Sequence, residues 1–378
     1  MTSFARSDRS LLAEWWRTVD KLMLASLFLL MGVGLLVSLA AGPAASERIG
    51  FSDPYHFVYR QAFFMACAAI LLVGTSILTP PWARRVAGIV FFLGFLLMAY
   101  ILLFGHEAKG AQRWIRIAGT TFQPSEIVKP ALVLIIGWLL AQREHFPNAP
   151  WTLVAFILYA ATMGLLLLQP DVGQSALLTA GFLAAFFVSG ISLSWVFGLG
   201  AGFVALGGSL FTFFPHVRHR VNSFINPSEY DTYQIDTARE AIERGGLMGA
   251  GMGEGQIKHD LPDAHTDFIY SVIGEEFGLF VCVALIILFA VITVRGVLTA
   301  SRHPDPYPRA AAVGLFTLFG IQAAINISVN IALIPNKGMT LPFISSGGSS
   351  LLGSALTLGF ALALTRRRPE ISMRRFIP

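Results

Sequence analysis

The chain has 378 residues, of which 55% are hydrophobic and 13% charged, and its mean hydropathy is +0.66. Soluble domains carry about 25% charged residues, so this composition excludes a soluble fold and favours a chain divided into membrane spans. The formal charge of +5 is not accompanied by a basic tract with interleaved aromatic residues, so we expect no nucleic-acid partner.

Ten apolar runs follow one another along the chain, most of them near the length of about 20 residues that a membrane helix needs. They cover residues 22–40, 62–78, 86–104, 127–141, 153–168, 172–190, 193–214, 268–294, 310–334 and 343–364. These runs predict an all-α, polytopic integral membrane protein with ten transmembrane helices in one domain over residues 1–378. Lys129 and Pro130 interrupt the short fourth run, and lipid cannot satisfy broken backbone, so we expect a protected polar interior.

Basic residues indicate the orientation of the chain, because Lys and Arg accumulate in short cytoplasmic segments. With the N-terminus inside, the cytoplasmic segments hold 15 of the 27 basic residues: Arg6, Arg9, Arg17, Lys21, Arg84, Arg85, Arg143, Arg295, Arg302, Arg309, Arg366, Arg367, Arg368, Arg374 and Arg375. This pattern predicts a cytoplasmic N-terminus over residues 1–21 and a cytoplasmic C-terminus over residues 365–378.

Residues 215–266 form a long polar segment between the seventh and eighth runs, predicted to be an extracytoplasmic loop. The stretch YQIDTAREAIERGG within it predicts an amphipathic helix in which Glu240 and Arg244 are spaced i,i+4 and two glycines follow as a cap. The glycines of GGLMGAGMGEG look like a phosphate loop only superficially, because no strand precedes them and no GKS or GKT closes the pattern.

Acidic residues mark the end of this loop. Asp267 lies where the loop meets the eighth run, and Glu275 and Glu276 follow about two turns deeper. Ionisable residues within a membrane bundle are costly, so each is a functional hypothesis. A helix cap or a first-turn acid is the structural alternative for Asp267.

Two further polar clusters flank the central runs on the same predicted side. Lys109, Arg113 and Arg116 depart from the positive-inside pattern, which either anionic lipid headgroups or a bound phosphate or pyrophosphate would explain. Glu126 and Lys129, spaced i,i+3, either contact substrate or form a buried structural ion pair. Lys337 precedes the last run, and packing of the small residues near it does not explain its charge.

Four motifs, in order along the chain, together resemble the SEDS family of bacterial cell-wall polymerases. They are GAQRWIRIAGTTFQPSEIVKPAL, LQPDVGQ, AIERGGLMGAGMGEGQIKHDLPDAHTDFIYSVIGEEFG and INISVNIALIPNKGMTLPFISSGGSSLL. The resemblance extends from the first run to the last. The AHTDFI and IGEE forms are more similar to the division members of the family than to the elongation members.

The resemblance implies a peptidoglycan glycosyltransferase that polymerises lipid II at the outer face of the bacterial inner membrane, at the division septum. It also implies a class B penicillin-binding protein, which supplies the transpeptidase, and other division proteins as partners within the lipid membrane. Asp267 is then the residue required for polymerisation. The expected substrate contacts are Lys109, Arg113, Glu126, Lys129, Lys258, His265 and Lys337, and a divalent cation, Mg²⁺ or Mn²⁺, is a candidate cofactor.

Two other functions stay open at this point. A flippase that moves lipid II would also use broken helices and intramembrane charges. A non-catalytic scaffold for the division apparatus would tolerate charge changes at Asp267, whereas a polymerase would not.

Overall fold

The computed structural model describes residues 10–108, 111–117, 120–190, 193–213, 232–336 and 338–367, together with positions 218, 222 and 225. Its helices are α1 (Leu11–Thr18), α2 (Lys21–Ile49), α3 (His56–Ile77), α4 (Pro80–Phe104), α5 (Ser125–His145), α6 (Trp151–Leu168), α7 (Val172–Val188), α8 (Leu193–Phe213), α9 (Tyr233–Gly245), α10 (Ile257–Asp260), α11 (Ile269–Ser301), α12 (Pro306–Asn330) and α13 (Gly348–Thr365). Three short strands, β1 (His106–Ala108), β2 (Ala111–Ile117) and β3 (Thr120–Phe122), lie between α4 and α5.

Each of the ten apolar runs overlaps one helix, which confirms the all-α membrane fold. In the described part of the chain, eight helices are long and apolar enough to span a membrane: α2 to α6 and α11 to α13. Helix α7 and residues 200–209 of α8 form shorter apolar helices. The count of ten spans, and with it the place of the long loop, therefore stays a prediction.

Helices α5, α12 and α13 form the centre of the bundle, and most of each is buried. Helix α12 packs against α5, α7, α11 and α13, while α13 also packs along the length of α3. Phe182, Phe316 and Phe360 are among the largest fully buried side chains of this core. The central helices thus fix the relative positions of the segments at their ends.

A small antiparallel sheet is the main element that the sequence analysis did not predict. The strand order is β1–β2–β3, with Arg116 opposite Thr121 and Ile115 opposite Phe122. The sheet connects the end of α4 to the start of α5, so it lies at the end of the bundle where α5 begins.

Helix α11 is broken at Gly278, whose φ of 78° and ψ of −179° are not helical. The loop after α9 satisfies the backbone freed there, since the amides of Ala250 and Gly251 donate to the carbonyls of Glu275 and Glu276 at 2.8 and 3.0 Å. A Cβ at Gly249, where φ is +82°, would lie 2.2 Å from the Glu276 carbonyl oxygen. The glycine-rich segment therefore serves this close backbone contact, consistent with rejection of a phosphate loop.

The predicted amphipathic helix is present as α9, which packs against α11 and buries Thr237, Ala238 and Ala241. The i,i+4 spacing of Glu240 and Arg244 is present in this helix, but the ion pair on its surface joins other residues. Arg239 pairs with Glu243 instead, with 2.7 Å between Nε and Oε1, and Arg244 bonds to Gln256. Both acidic residues are spaced i,i+4 from an arginine, and Arg244 lies closer to the loop that follows the helix.

Candidate active site

A cavity of about 550 Å³ lies at the end of the bundle where α3, α5, α11 and α13 begin. Its walls come from the first turns of α3, α5 and α13, from β2 and β3, and from the segments that precede α11 and α13. The cavity thus joins three of the polar clusters that the sequence analysis identified separately.

Asp267 lines this cavity and lies in the turn that precedes α11. The segment after α12 passes close to it, since a Cβ at Gly338 would lie 3.5 Å from Oδ2 of Asp267. His265 and Thr266 line the same wall, and the His265 ring lies 4.5 Å from the Phe57 ring, measured between centroids. The sequence-predicted Asp267 and His265 are therefore brought together in the cavity.

Arg113 also borders the cavity, but its guanidinium is already engaged. It donates to the carbonyls of Gln169 and Pro170 at the turn between α6 and α7, and its Nη1 lies 3.6 Å from Oδ1 of Asp171. Burial raises the pKa of the Asp171 carboxyl, and the Arg113 charge opposes this rise. Arg113 therefore fastens the sheet to the α6–α7 turn.

Glu126 and Lys129 form the buried ion pair that was the structural alternative, with 3.1 Å between Nζ and Oε2. Gln174 completes the group, because it donates to Oε1 of Glu126 at 2.6 Å and accepts a hydrogen bond from Lys129. Glu126 and Gln174 reach the cavity wall, whereas Lys129 lines a much smaller internal cavity behind it.

Lys258 lies outside the cavity and is almost fully buried. Its ammonium group donates to Glu276 and to the carbonyls of Ala40 and Gly253 at 3.1 and 3.2 Å. The neighbouring Glu275 carboxylate accepts three backbone amides from residues 256–258. These contacts tie the loop to α11 and α2, and they place Lys258 away from any substrate in the cavity.

Two further arginines line the cavity: Arg60, which the sequence analysis missed, and Arg116, for which it expected a phosphate, a pyrophosphate or lipid headgroups as ligand. Arg60 lies in the second turn of α3, and its guanidinium carbon is 5.9 Å from the centroid of the Phe64 ring. Arg116 is an exposed residue of β2. Within the described residues, neither side chain forms a hydrogen bond or an ion pair, so both have donors available for an anionic ligand.

Lys109 and Lys337, the remaining predicted substrate contacts, lie outside the described residues. The sequence analysis also missed Asn326 and Asn330, whose side-chain amides donate to the Asp267 carbonyl at 2.8 and 2.9 Å. Two carboxamides one turn apart in a membrane helix were the available signal, because polar groups there are costly and usually paired.

The helix termini add to the electrostatics of the cavity. Helices α3, α5, α11 and α13 all begin there, and in none of them does the side chain of the N-cap residue accept one of the first amides. In α11 the Ser271 amide is accepted by Asn330 of α12 instead. The N-terminal end of a helix carries a partial positive charge and unpaired N–H groups that favour anions. The cavity therefore combines a carboxylate with a surrounding field that attracts negative charge.

No group of three or more His, Cys, Asp and Glu side chains that could hold a metal occurs among the residues that the structure describes. Asp263 and Asp267 are carboxylates from the same turn that line the cavity. One or two carboxylates suffice for Mg²⁺ when substrate phosphates supply further oxygens. This donor set fits a metal that arrives with a phosphorylated substrate.

Residues 20–369 match the family described as cell cycle protein, which groups FtsW, RodA and SpoVE. The chain is 48% identical to the probable peptidoglycan glycosyltransferase FtsW of Caulobacter vibrioides, over 97% of this chain and 94% of that protein. It is 33% identical to the protein of the same name from Trichlorobacter lovleyi, over 92% and 93% of the two chains.

Two solved structures share the fold. One is a chain from a peptidoglycan synthase complex described for its structural coordination of polymerization and crosslinking, with a TM-score of 0.75, 26% identity, and coverage of 92% of this chain and 97% of that one. The other is the rod shape determining protein RodA of Thermus thermophilus, with a TM-score of 0.68, 25% identity, and coverage of 96% and 99%. Sequence and fold agree that the chain belongs to the FtsW/RodA/SpoVE family.

Proposed function

We propose that this protein polymerises lipid II into glycan strands at the outer face of the bacterial inner membrane, during septal cell-wall synthesis. The chain is a peptidoglycan glycosyltransferase, a name its relatives at 48% and 33% identity carry. Lipid II as substrate and the septum as location are our proposal. The observation that carries it is a cavity in which Asp267 faces the same space as two arginines that form no hydrogen bond or ion pair in the described part of the chain.

The proposed reaction is a single displacement with inversion. The 4-hydroxyl oxygen of the acceptor sugar forms a bond to the anomeric carbon of the donor, and the bond from that carbon to the polyprenyl pyrophosphate breaks. Asp267 accepts the hydroxyl proton as general base. The leaving pyrophosphate keeps the electron pair of the broken bond and gains negative charge at its bridging oxygen.

Arg60 and Arg116 are the described residues best placed to stabilise that pyrophosphate. Arginine presents several N–H groups in a fork that matches phosphate oxygens, and such charge-assisted bonds are among the stronger ones. Arg113 contributes to the positive field, but its N–H groups donate to carbonyls of the α6–α7 turn. The four helix N-termini at the cavity act in the same direction.

A divalent cation stays a proposal. Asp267, with Asp263 beside it, would hold a Mg²⁺ ion together with oxygens of the pyrophosphate. When bound, the ion would neutralise charge on the leaving group.

We also propose a class B penicillin-binding protein as partner, so that polymerisation and crosslinking occur in one assembly. The support is the similarity to a chain of a peptidoglycan synthase complex that coordinates the two activities.

The test is glycan polymerisation from purified lipid II in detergent with a divalent cation, with and without the class B partner. Asp267→Asn keeps the shape of the side chain but cannot accept the proton, so we expect no polymer with normal protein yield and partner binding. Asp260→Asn is the matched control, because Asp260 is exposed and does not line the cavity. It should polymerise like the native chain.

Full polymerisation by Asp267→Asn would eliminate the general-base role. If the native chain made no polymer even with its partner, a flippase or a scaffold would be favoured instead. A vesicle assay of lipid II translocation would then distinguish those two.

A further inference from the structure

A side chain from α12 bridges the turn before α11 and the first turn of that helix. Oδ1 of Asn330 accepts the Ser271 amide at 3.0 Å, and Nδ2 of Asn330 donates to the Asp267 carbonyl at 2.9 Å. The Ser271 amide also donates to the Phe268 carbonyl at 3.1 Å, so the first turn of α11 is closed within the helix itself. The Asn330 carboxamide therefore fixes the Asp267 backbone relative to that turn.

Each polar atom of this carboxamide has a partner. Its Oδ1 also accepts the Ser271 hydroxyl at 2.8 Å, and its second Nδ2 hydrogen is directed to the Asn326 carbonyl at 2.9 Å. Asn330 and Ser271 are fully buried. Buried polar groups that are completely paired fix a unique arrangement, whereas the loss of one partner leaves an unsatisfied group behind.

Asn326 makes similar hydrogen bonds, which reach the opposite wall of the cavity. Its Nδ2 donates both to the Asp267 carbonyl at 2.8 Å and to the Met339 carbonyl at 2.6 Å. Met339 directly follows Gly338, which faces the Asp267 carboxylate. One amide group therefore sets the distance between the turn that carries the carboxylate and the segment that passes over it.

We propose that Asn330 and Asn326 are positioning residues for Asp267, which fix the backbone of its turn so that the carboxylate projects into the cavity. This inference rests on the proposed role of Asp267 as general base. Without the Asn330 carboxamide, the Asp267 carbonyl loses one of the two α12 side-chain donors that fix it. The backbone of the turn then shifts and moves the Asp267 carboxylate away from the acceptor hydroxyl.

The experiment measures kcat and KM for polymerisation by Asn330→Ala, with Thr317→Val of the same helix as the control. Thr317 makes no hydrogen bond to another segment in the part of the chain that the structure describes. Because a general base displaced by about 1 Å can lose about 100-fold in rate, we expect kcat to fall on that order. KM should change by less than about twofold, since the cations that hold the pyrophosphate are not moved.

A second measurement separates positioning from a general loss of structure. The midpoint of the acidic limb of the kcat–pH profile reports the catalytic base in the enzyme–substrate complex, so Asn330→Ala should shift it while Thr317→Val should not. Asn330→Asp still accepts the Ser271 amide but cannot donate to the Asp267 carbonyl, and we expect it to be as impaired as Asn330→Ala. Monodisperse elution and a cooperative unfolding transition above the assay temperature identify the folded variants.

If Asn330→Ala keeps the native kcat while Asp267→Asn is inactive, the positioning inference is overturned and the proposed function stands. If Asp267→Asn is active, the proposed function itself has failed. If Asn330→Ala does not fold, Ser271→Ala is the deciding variant. It removes the hydrogen bond from the Ser271 hydroxyl to Asn330 and keeps the one from the Ser271 backbone amide. An acidic limb that does not move in that variant overturns the inference.

Discussion

Replacement of Lys258 by methionine tests the conclusion that this residue holds the long loop rather than the substrate. Its side chain is 4% exposed and that of Glu276 is 0% exposed, so the pair is shielded from water. Methionine keeps the length of the side chain but leaves the Glu276 carboxylate buried with the Gly253 amide, at 3.0 Å, as its remaining described donor. Removal of one partner of a buried ion pair typically costs about 3–5 kcal/mol, so we expect a loss of that size in the free energy of unfolding.

The matched control is the exposed pair of α9. Arg239 and Glu243 are 70% and 64% exposed, so Arg239→Met should cost less than about 1 kcal/mol. The double variant Lys258→Met with Glu276→Gln removes both charges, and replacing a whole buried pair is often nearly neutral. It should therefore regain most of the stability that Lys258→Met loses.

Both measurements use the same protein preparations. The free energy of unfolding comes from denaturant titration in mixed micelles, and the KM for lipid II comes from the polymerisation assay on the folded fraction. We expect a large stability change and a KM close to native for Lys258→Met. A native stability together with a raised KM would refute this reasoning and restore the substrate contact expected from the sequence.

Two other predictions concern the cavity and the helix break. Arg60→Gln and Arg116→Gln should each raise the KM for lipid II by about 10-fold to 100-fold. This factor corresponds to the loss of one charge-assisted hydrogen bond of about 1.5–3 kcal/mol. Arg85→Gln, which lies outside the cavity, should leave the KM unchanged. Gly278→Ala should lower the free energy of unfolding by at least about 1–3 kcal/mol, because the φ of 78° and ψ of −179° at this position are nearly restricted to glycine. The Cβ of the alanine would also lie 2.4 Å from the Gly249 amide nitrogen. Gly32→Ala, a helical glycine with nothing within 4 Å of the added Cβ, should be tolerated in the same thermal or denaturant measurement.

The positions of the membrane helices could be predicted from the sequence, because each helix satisfies its own backbone and needs only a local run of apolar residues. The break in α11 could not, since the groups that satisfy it belong to the loop after α9. The β2–β3 sheet was missed for a related reason. Its strands are short, and the alternation of apolar and polar residues in QRWIRI is too brief to distinguish a strand from a connecting loop.

The candidate site shows the same limit at the level of single residues. The sequence indicated that the basic residues on the predicted outer side of the membrane bind some anionic group. It could not show which of them are already paired with another residue of the protein. Lys258 is paired with Glu276, 18 residues along the chain, and Arg113 with Asp171 across two helices. Arg60 was overlooked because it lies just before the apolar run at residues 62–78 and belongs to none of the polar clusters. Pairing in three dimensions, rather than charge, separates the cations that hold the fold from those available to a ligand.

The same reasoning explains why the carboxylate of this family member is found before a helix and not within one. A carboxylate inside a continuous membrane helix would be fixed by the helix geometry and would face its neighbours at van der Waals distance. Asp267 instead precedes α11, in a turn whose backbone two carboxamides from α12 hold in place, at the end of the bundle where three other helices begin. That arrangement gives the carboxylate room for a sugar hydroxyl and surrounds it with helix N-termini that favour a departing pyrophosphate. Helix α12 therefore provides the rigid support, and the polar segments that it holds, including the turn with Asp267, provide the reactive groups.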